Sequence, residues 1–121
     1  MRSCTTSELV DDLGIPHRCR SALFELKRRG SAIANEVLRG LRDPNPLARR
    51  LSCEYFDLFL VEAALEGLLS CIEDDDPGVR WQARHALTCE RCKKNAWHPP
   101  AEATELAAAS WTRETVRSSP R

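Results

Sequence analysis

The chain has 121 residues, with 18 basic and 18 acidic side chains and a formal net charge of zero. That length suits one domain with a core large enough to fold alone. No apolar run approaches the roughly 18 residues that a membrane span requires, and residues 1–6 lack the apolar core of a signal peptide, so a soluble, cytoplasmic protein is expected. Strand-type alternation is absent and aromatic residues make up 6% of the chain, which points to an all-α fold. Cys53 and Cys71 lie inside amphipathic stretches, so the six cysteines read as buried or surface thiols and not as a disulfide framework.

In chain order, Thr5-Thr6-Ser7-Glu8 has the form of a capping box ahead of a helix ending near Leu13, with Gly14 placed for a left-handed C-terminal turn. Pro16 is expected to start a second helix that runs to Arg29 and is closed by Gly30. Ser31 is positioned to cap a third, reaching about Arg42 with Ala34, Val37, Leu38 and Leu41 as its apolar stripe. Pro46 opens a fourth to about Leu60, followed after a break near Leu60-Val61 by a helix over 62–73 with Leu65, Leu68, Leu69 and Ile72 inward. Pro77 opens the next, to about Cys92. Beyond Lys93, His98-Pro99-Pro100 interrupts the pattern, and an Ala-rich helix over 101–117 precedes a frayed end at Ser118-Ser119-Pro120-Arg121.

Two of these junctions repeat. Asp43-Pro44-Asn45-Pro46-Leu47-Ala48-Arg49 and Asp75-Asp76-Pro77-Gly78-Val79-Arg80 each follow one apolar helix and open another, and Pro46 and Pro77 are 31 residues apart. An acidic or Asn residue stands where an N-cap must accept free N–H groups, and proline fills the first turn, where its missing donor costs nothing. A fixed period in this range is the mark of stacked helical hairpins.

The second copy, Asp76-Pro77-Gly78-Val79-Arg80-Trp81-Gln82-Ala83-Arg84-His85-Ala86-Leu87, resembles the HEAT-repeat family, in particular short bacterial HEAT-like units whose second helix opens D-P-x-V-R-x-x-A-x-x-A-L. The first copy departs from that pattern, with Ser52 and Tyr55 at the small positions. The resemblance covers roughly residues 31–92. It implies a short right-handed α-solenoid of two to three HEAT-like hairpins in a domain spanning 1–92: clear repeats at 31–60 and 61–92, a degenerate hairpin at 5–30, and a tail at 93–121 that is weakly helical and placed to cap the stack. It also implies that Arg49 and Arg80 pair with acidic cap residues such as Asp43 or Asp74 between repeats, and that the second helices line a concave binding surface.

Charge is segmented: ten basic against six acidic groups in 1–50, none against eight in 51–79, and eight against four in 80–121. The second helices (17–29, 46–60 and 77–94) hold twelve basic residues against four acidic. On the helix after Pro77, Arg80, Arg84 and Arg91 form a stripe beside the apolar arc of Val79, Ala83, Ala86 and Leu87. Arg84, Arg91, Arg80, Arg50, Lys93 and Lys94 are therefore the expected partner-binding residues, attracting an acidic protein or, as an alternative, a phosphate backbone.

Cys89-Glu90-Arg91-Cys92 is a C-x-x-C pair four residues after His85 and six before His98. On one helix His85, Cys89 and Cys92 fall within about 60° of each other; with His98 they make a candidate zinc site, and a small zinc-stabilised helical domain is the third reading. The acidic run Glu73-Asp74-Asp75-Asp76 is better explained by capping than by metal, and Trp81 by packing under the tail. No nucleophile–base motif, Gly-rich phosphate loop or H-E-x-x-H is present, and His17 has no catalytic companion, so no enzyme activity is expected. The expectation is thus a non-catalytic protein-interaction module or scaffold, without a required cofactor.

Overall fold

A computed structural model describes the backbone of residues 4–118 and the side chains of residues 4–114. Among these residues there is no strand. The elements are α1 (Thr6–Asp12), α2 (Cys19–Arg29), α3 (Ala34–Val37), α4 (Pro46–Leu58), α5 (Leu65–Cys71), α6 (Pro77–Thr88) and α7 (Ala101–Ser118). Short 3-10 turns flank α3 (Gly30–Ile33 and Leu38–Arg42) and precede α5 (Glu62–Ala64). No described helix is long and apolar enough to cross a membrane.

Local chemistry accounts for most boundaries. Thr5 accepts from the Glu8 N–H while the Glu8 carboxylate accepts from the Thr5 N–H, the reciprocal capping box. Asn45 caps α4 through the Leu47 N–H, and Asp76 caps α6 through the Val79 N–H, each with proline in the first turn. The break between the fourth and fifth helical stretches falls at Phe59–Val61, where Val61 is extended.

Several expectations are corrected. Gly14 is not left-handed; among the described residues the only positive-φ glycine is Gly30, at φ 74°. The Gly14 backbone carbonyl instead accepts from the Asn45 side chain, so Gly14 serves contact between α1 and the start of α4. Pro16 sits in a turn, and α2 starts only at Cys19. Ser31 makes no cap hydrogen bond, and residues 30–42 alternate between 3-10 and α geometry. Two glycines and the β-branched Ile33 and Val37 weaken this stretch as an α-helix, and burial, not propensity, holds it. The helix after Pro77 ends at Thr88, so Cys89 and Cys92 are not on one helical wheel.

Packing runs in two rows. α4 lies between α2 and α6, while α1 contacts α3, and the 3-10 turn after α3 contacts α5. Each helix of the first row also packs on its chain neighbour in the second, α1 on α2 and α5 on α6. Between the rows Leu23, Leu26, Val37, Leu51, Tyr55, Phe56, Leu68 and Val79 are fully buried, each worth roughly 1.5–3 kcal/mol by transfer from water. Close approach is bought by small residues: a Cβ on Gly40 would stand 2.0 Å from the Ser52 Oγ.

The interactions at the junctions repeat with the sequence. Arg49 Nη1 donates to the carbonyls of Asp43 and Pro44, and 31 residues later Arg80 Nη1 donates to those of Asp74 and Asp75. The Asp43 carboxylate accepts from the Asn45 N–H, as the Asp74 carboxylate does from the Asp76 N–H. One further step back, Arg18 reaches Asp12 at 3.8 Å. Units are also tied to their neighbours, since both the Nε and Nη2 of Arg49 donate to Asp74, at 2.8 and 3.0 Å.

In the tail, α7 is 18 residues long and packs on α6 and α5. Ala103, Ala107 and Ser110, one turn apart, form its buried stripe. Ser118 belongs to this helix, and the remainder of the frayed end expected there, 119–121, lies outside the described residues.

Candidate functional site

The C-terminus of α6 turns back onto the C-terminus of α4. Cys89 still closes the last helical turn through its N–H to the His85 carbonyl, then becomes extended, and Glu90, Arg91 and Cys92 reverse the chain. The Lys94 N–H donates to the Leu58 carbonyl at 2.7 Å, and the Asn95 side chain to that of Leu60. Lys93 braces the junction: its ammonium donates to the Asp57 carbonyl (2.9 Å), the Asp57 carboxylate (3.3 Å) and the Cys89 carbonyl (2.8 Å). Only 4% of its side chain is exposed.

This reversal brings His85, Cys89 and Cys92 together, with their potential ligand atoms all within 4.8 Å of one another. Such a His/Cys/Cys group can hold a metal ion. The His85 ring is fixed on two sides. Its Nδ1 lies 2.8 Å from the Asp57 carboxylate, which can only accept, so in the neutral ring Nδ1 carries the hydrogen and Nε2 the lone pair. Trp81 stacks on the ring at 5.0 Å with the planes 9° apart, and meets Trp111 of α7 edge-on.

The sulfurs of Cys89 and Cys92 are 2.9 Å apart. The hydrogen bond from Cys92, aided by the N–H groups of Cys92 and Arg91, lowers the Cys89 pKa against a smaller effect of burial. The same sulfur–sulfur bond, with burial, pushes Cys92 up to about 11. Cys89 is therefore the more acidic thiol of the pair. His98 stands apart: it lines a small cleft of about 50 Å³ with Cys89, Lys93 and Thr104 but is not among the converging ligands, a correction to the four-residue set.

The expected partner-binding cations divide sharply. Arg84 is 1% exposed, with Nε on Ser110, Nη1 on Glu114 and Nη2 on the Ile72 carbonyl, so it fastens α7 and cannot meet a partner. Arg80 shares Glu114 and clamps the carbonyls of Asp74 and Asp75. Lys93 is the brace already described. The Glu54 carboxylate, one turn from Arg50 on α4, takes Arg20 and Lys27 of α2. Arg50, Arg91 and Lys94 keep solvent access and make no side-chain ion pair among the described residues. Trp81 is 50% exposed, so the tail leaves half of it uncovered although Trp111 of α7 meets it in a T-shaped contact at 6.3 Å.

Two features escaped the sequence reading. Asp57 was legible as a carboxylate inside the apolar run Tyr55-Phe56-Asp57-Leu58-Phe59, a placement that demands a partner. The third Asp–Arg pair was legible too: Asp12 and Arg18 have the six-residue spacing of Asp43 and Arg49 and of Asp74 and Arg80, at the same step of 31. A separate open groove of about 490 Å³, lined by Asp12, His17, Arg18, Glu25 and Arg28 among others, flanks α1 and α2. Its arginines are committed to its own carboxylates, Arg18 to Asp12 and Arg28 to Glu25. Compared with protein-family models, with curated proteins and with solved structures, the chain finds no match.

Proposed function

We propose that the chain is a short right-handed α-solenoid of three HEAT-like hairpins, closed at one end by α7, that works as a non-catalytic protein-interaction module. The observation that carries the reading is the 31-residue recurrence of one junction: an Asp/Asn cap, a proline in the first turn and an arginine clamped on the carbonyls five and six residues before it. Repetition of one unit yields a row of equivalent helices, and such rows serve as extended binding surfaces. Here the row is α2, α4 and α6.

The outer side of that row has the composition of a contact surface. Arg50 and Trp81 occupy equivalent positions one repeat apart, and Phe24 on α2 is 71% exposed between Arg20 and Lys27, which both reach across to α4. Exposed aromatics beside arginine are typical anchors of protein interfaces. Nine of the twelve cations expected on this layer are held in ion pairs within the chain. Three free cations make a poor track for a phosphate backbone but a sufficient complement for an acidic protein patch.

The test is affinity capture from source lysate with the wild-type chain and with a variant carrying Arg50→Glu, Arg91→Glu and Trp81→Ala, each with and without nuclease. A partner retained by the wild type after nuclease and lost by the variant is the expected result. Equal capture by both removes this face from consideration, and loss on nuclease treatment turns the reading to nucleic acid.

A further inference from the structure

We infer that the junction of α4 and α6 is a metal site for a borderline-soft divalent cation, zinc by its donor set, held by Cys89 Sγ, Cys92 Sγ and His85 Nε2 with one coordination position left open to solvent. Two thiolates and an imidazole select Zn(II) over the hard cations, which take oxygen ligands. The inference does not depend on the binding reading above.

Four independent observations converge. One potential ligand atom from each of the three residues already lies within 4.8 Å of the others. His85 Nδ1 is tied to the buried Asp57 carboxylate, leaving Nε2 as the donor nitrogen, the arrangement that fixes tautomer and ring orientation in metal-bound histidines. Asp57 is itself held by Lys93, whose ammonium also bonds the carbonyl of ligand residue Cys89, so orienting group and ligand loop are one unit. Finally, Cys89 and Cys92 flank a reversal at the C-terminus of α6, the negative end of the helix, which favours a cation.

That last point also separates this pair from a redox C-x-x-C. A reactive thiolate of that class gains from a helix N-terminus; here the pair sits at the opposite, C-terminal end of α6. On binding zinc, each cysteine that carries a proton releases it to solvent, both sulfurs bind as thiolates, and no electron is transferred. With Zn–S bonds of about 2.3 Å at a tetrahedral angle, the sulfurs must stand roughly 3.8 Å apart, a separation of roughly 1 Å beyond the present 2.9 Å. The linking residues Glu90 and Arg91 are exposed and free to yield it. His98 lies across the neighbouring cleft from Cys89 and is left out of the ligand set.

Titrating the reduced, metal-free full chain with Co(II) tests the site directly. Expected are thiolate-to-cobalt charge-transfer bands saturating at one equivalent, bleached by one equivalent of Zn(II). Cys89→Ser and Cys92→Ser should abolish the bands while helicity by circular dichroism is kept, since neither residue is in the core. Asp57→Asn should weaken Zn(II) binding about 10- to 100-fold while retaining the bands, the mark of a positioning residue. His98→Ala should bind as the wild type does. No cobalt spectrum from the reduced wild type overturns the site. Loss of binding in His98→Ala overturns the open position and replaces it with a four-ligand site.

Discussion

Ser52 shows how a single residue carries both a packing solution and its cost. Its hydroxyl is fully buried without a hydrogen-bond partner, facing a glycine so close that a Cβ on Gly40 would lie 2.0 Å from the Oγ. A buried unsatisfied polar atom forfeits about 1–3 kcal/mol of hydration. Ser52→Ala should therefore raise the melting temperature, by an amount corresponding to about 1 kcal/mol in denaturant titration. Gly40→Ala should do the opposite, costing about 1–3 kcal/mol through overpacking. The two are coupled: without the Oγ the nearest atom to the new methyl is the Ser52 Cβ at 3.1 Å, so the Gly40 substitution should cost less in the Ser52→Ala background. The sequence already hints at this, for Ala83 holds the equivalent place one repeat later. What it hides is Gly40 as the cause, because that contact crosses between two elements and leaves no mark in either one's own pattern.

Among the elements, α7 separates legible from illegible most clearly. Its existence and a capping place were readable from an Ala-rich run, but the residues that dock it were not, since an apolar count finds only Leu106, Trp111 and Val116, and Leu106 points to solvent. The surface that docks is small, Ala103, Ala107 and Ser110, and what fixes it is polar: Arg84 and Arg80 reaching Glu114. The same arginines were readable as a binding stripe only because the helix that covers them could not be placed. Arg84→Ala should destabilise by about 3 kcal/mol or more, because it strips a buried guanidinium from three partners, and limited proteolysis should then cut first within 101–118. Acid should act on the same contact. Arg84 first and Arg80 second hold Glu114 below its ordinary 4.5. A carboxylate with a folded pKa below its unfolded one lends its full stability above about pH 4.5 and loses it as pH falls through the folded value. Asp74 follows the same sign: burial works to raise it, but Arg49 and the Asp76 N–H together bring it below 3.8. Melting temperature should accordingly be flat near neutrality and decline below about pH 4.5, and Glu114→Gln should start lower and decline less. A wild-type profile that does not change between pH 6 and 3 would contradict the assignment.

For the whole molecule, the decisive question is whether the segments joined at the Arg49 and Arg80 clamps behave as one body or, as proposed, as a short row of neighbouring units. The caps Asn45 and Asp76 could be read directly, since each needs only local chemistry, whereas for the link between units the resemblance left Asp43 and Asp74 both open, and it is Arg49 of one junction that reaches the Asp74 carboxylate of the next. Asp74 is the hub: it accepts twice from Arg49 and once from the Asp76 N–H, and its backbone carbonyl takes Arg80. In stacked repeats, stability is a sum of unit terms and nearest-neighbour interface terms. Asp74→Asn weakens one interface and leaves the others intact, at a cost of about 2 kcal/mol for partly buried, charge-assisted bonds. Hydrogen exchange should then show lost protection concentrated in α5, α6 and α7, with α1 and α2 retaining theirs, because Arg20, Lys27 and Glu54 still bind α2 to α4. Equal loss across the whole chain would mean that the clamps join the units into one cooperative body, and that the 31-residue step is a repeat of structure without being a repeat of stability.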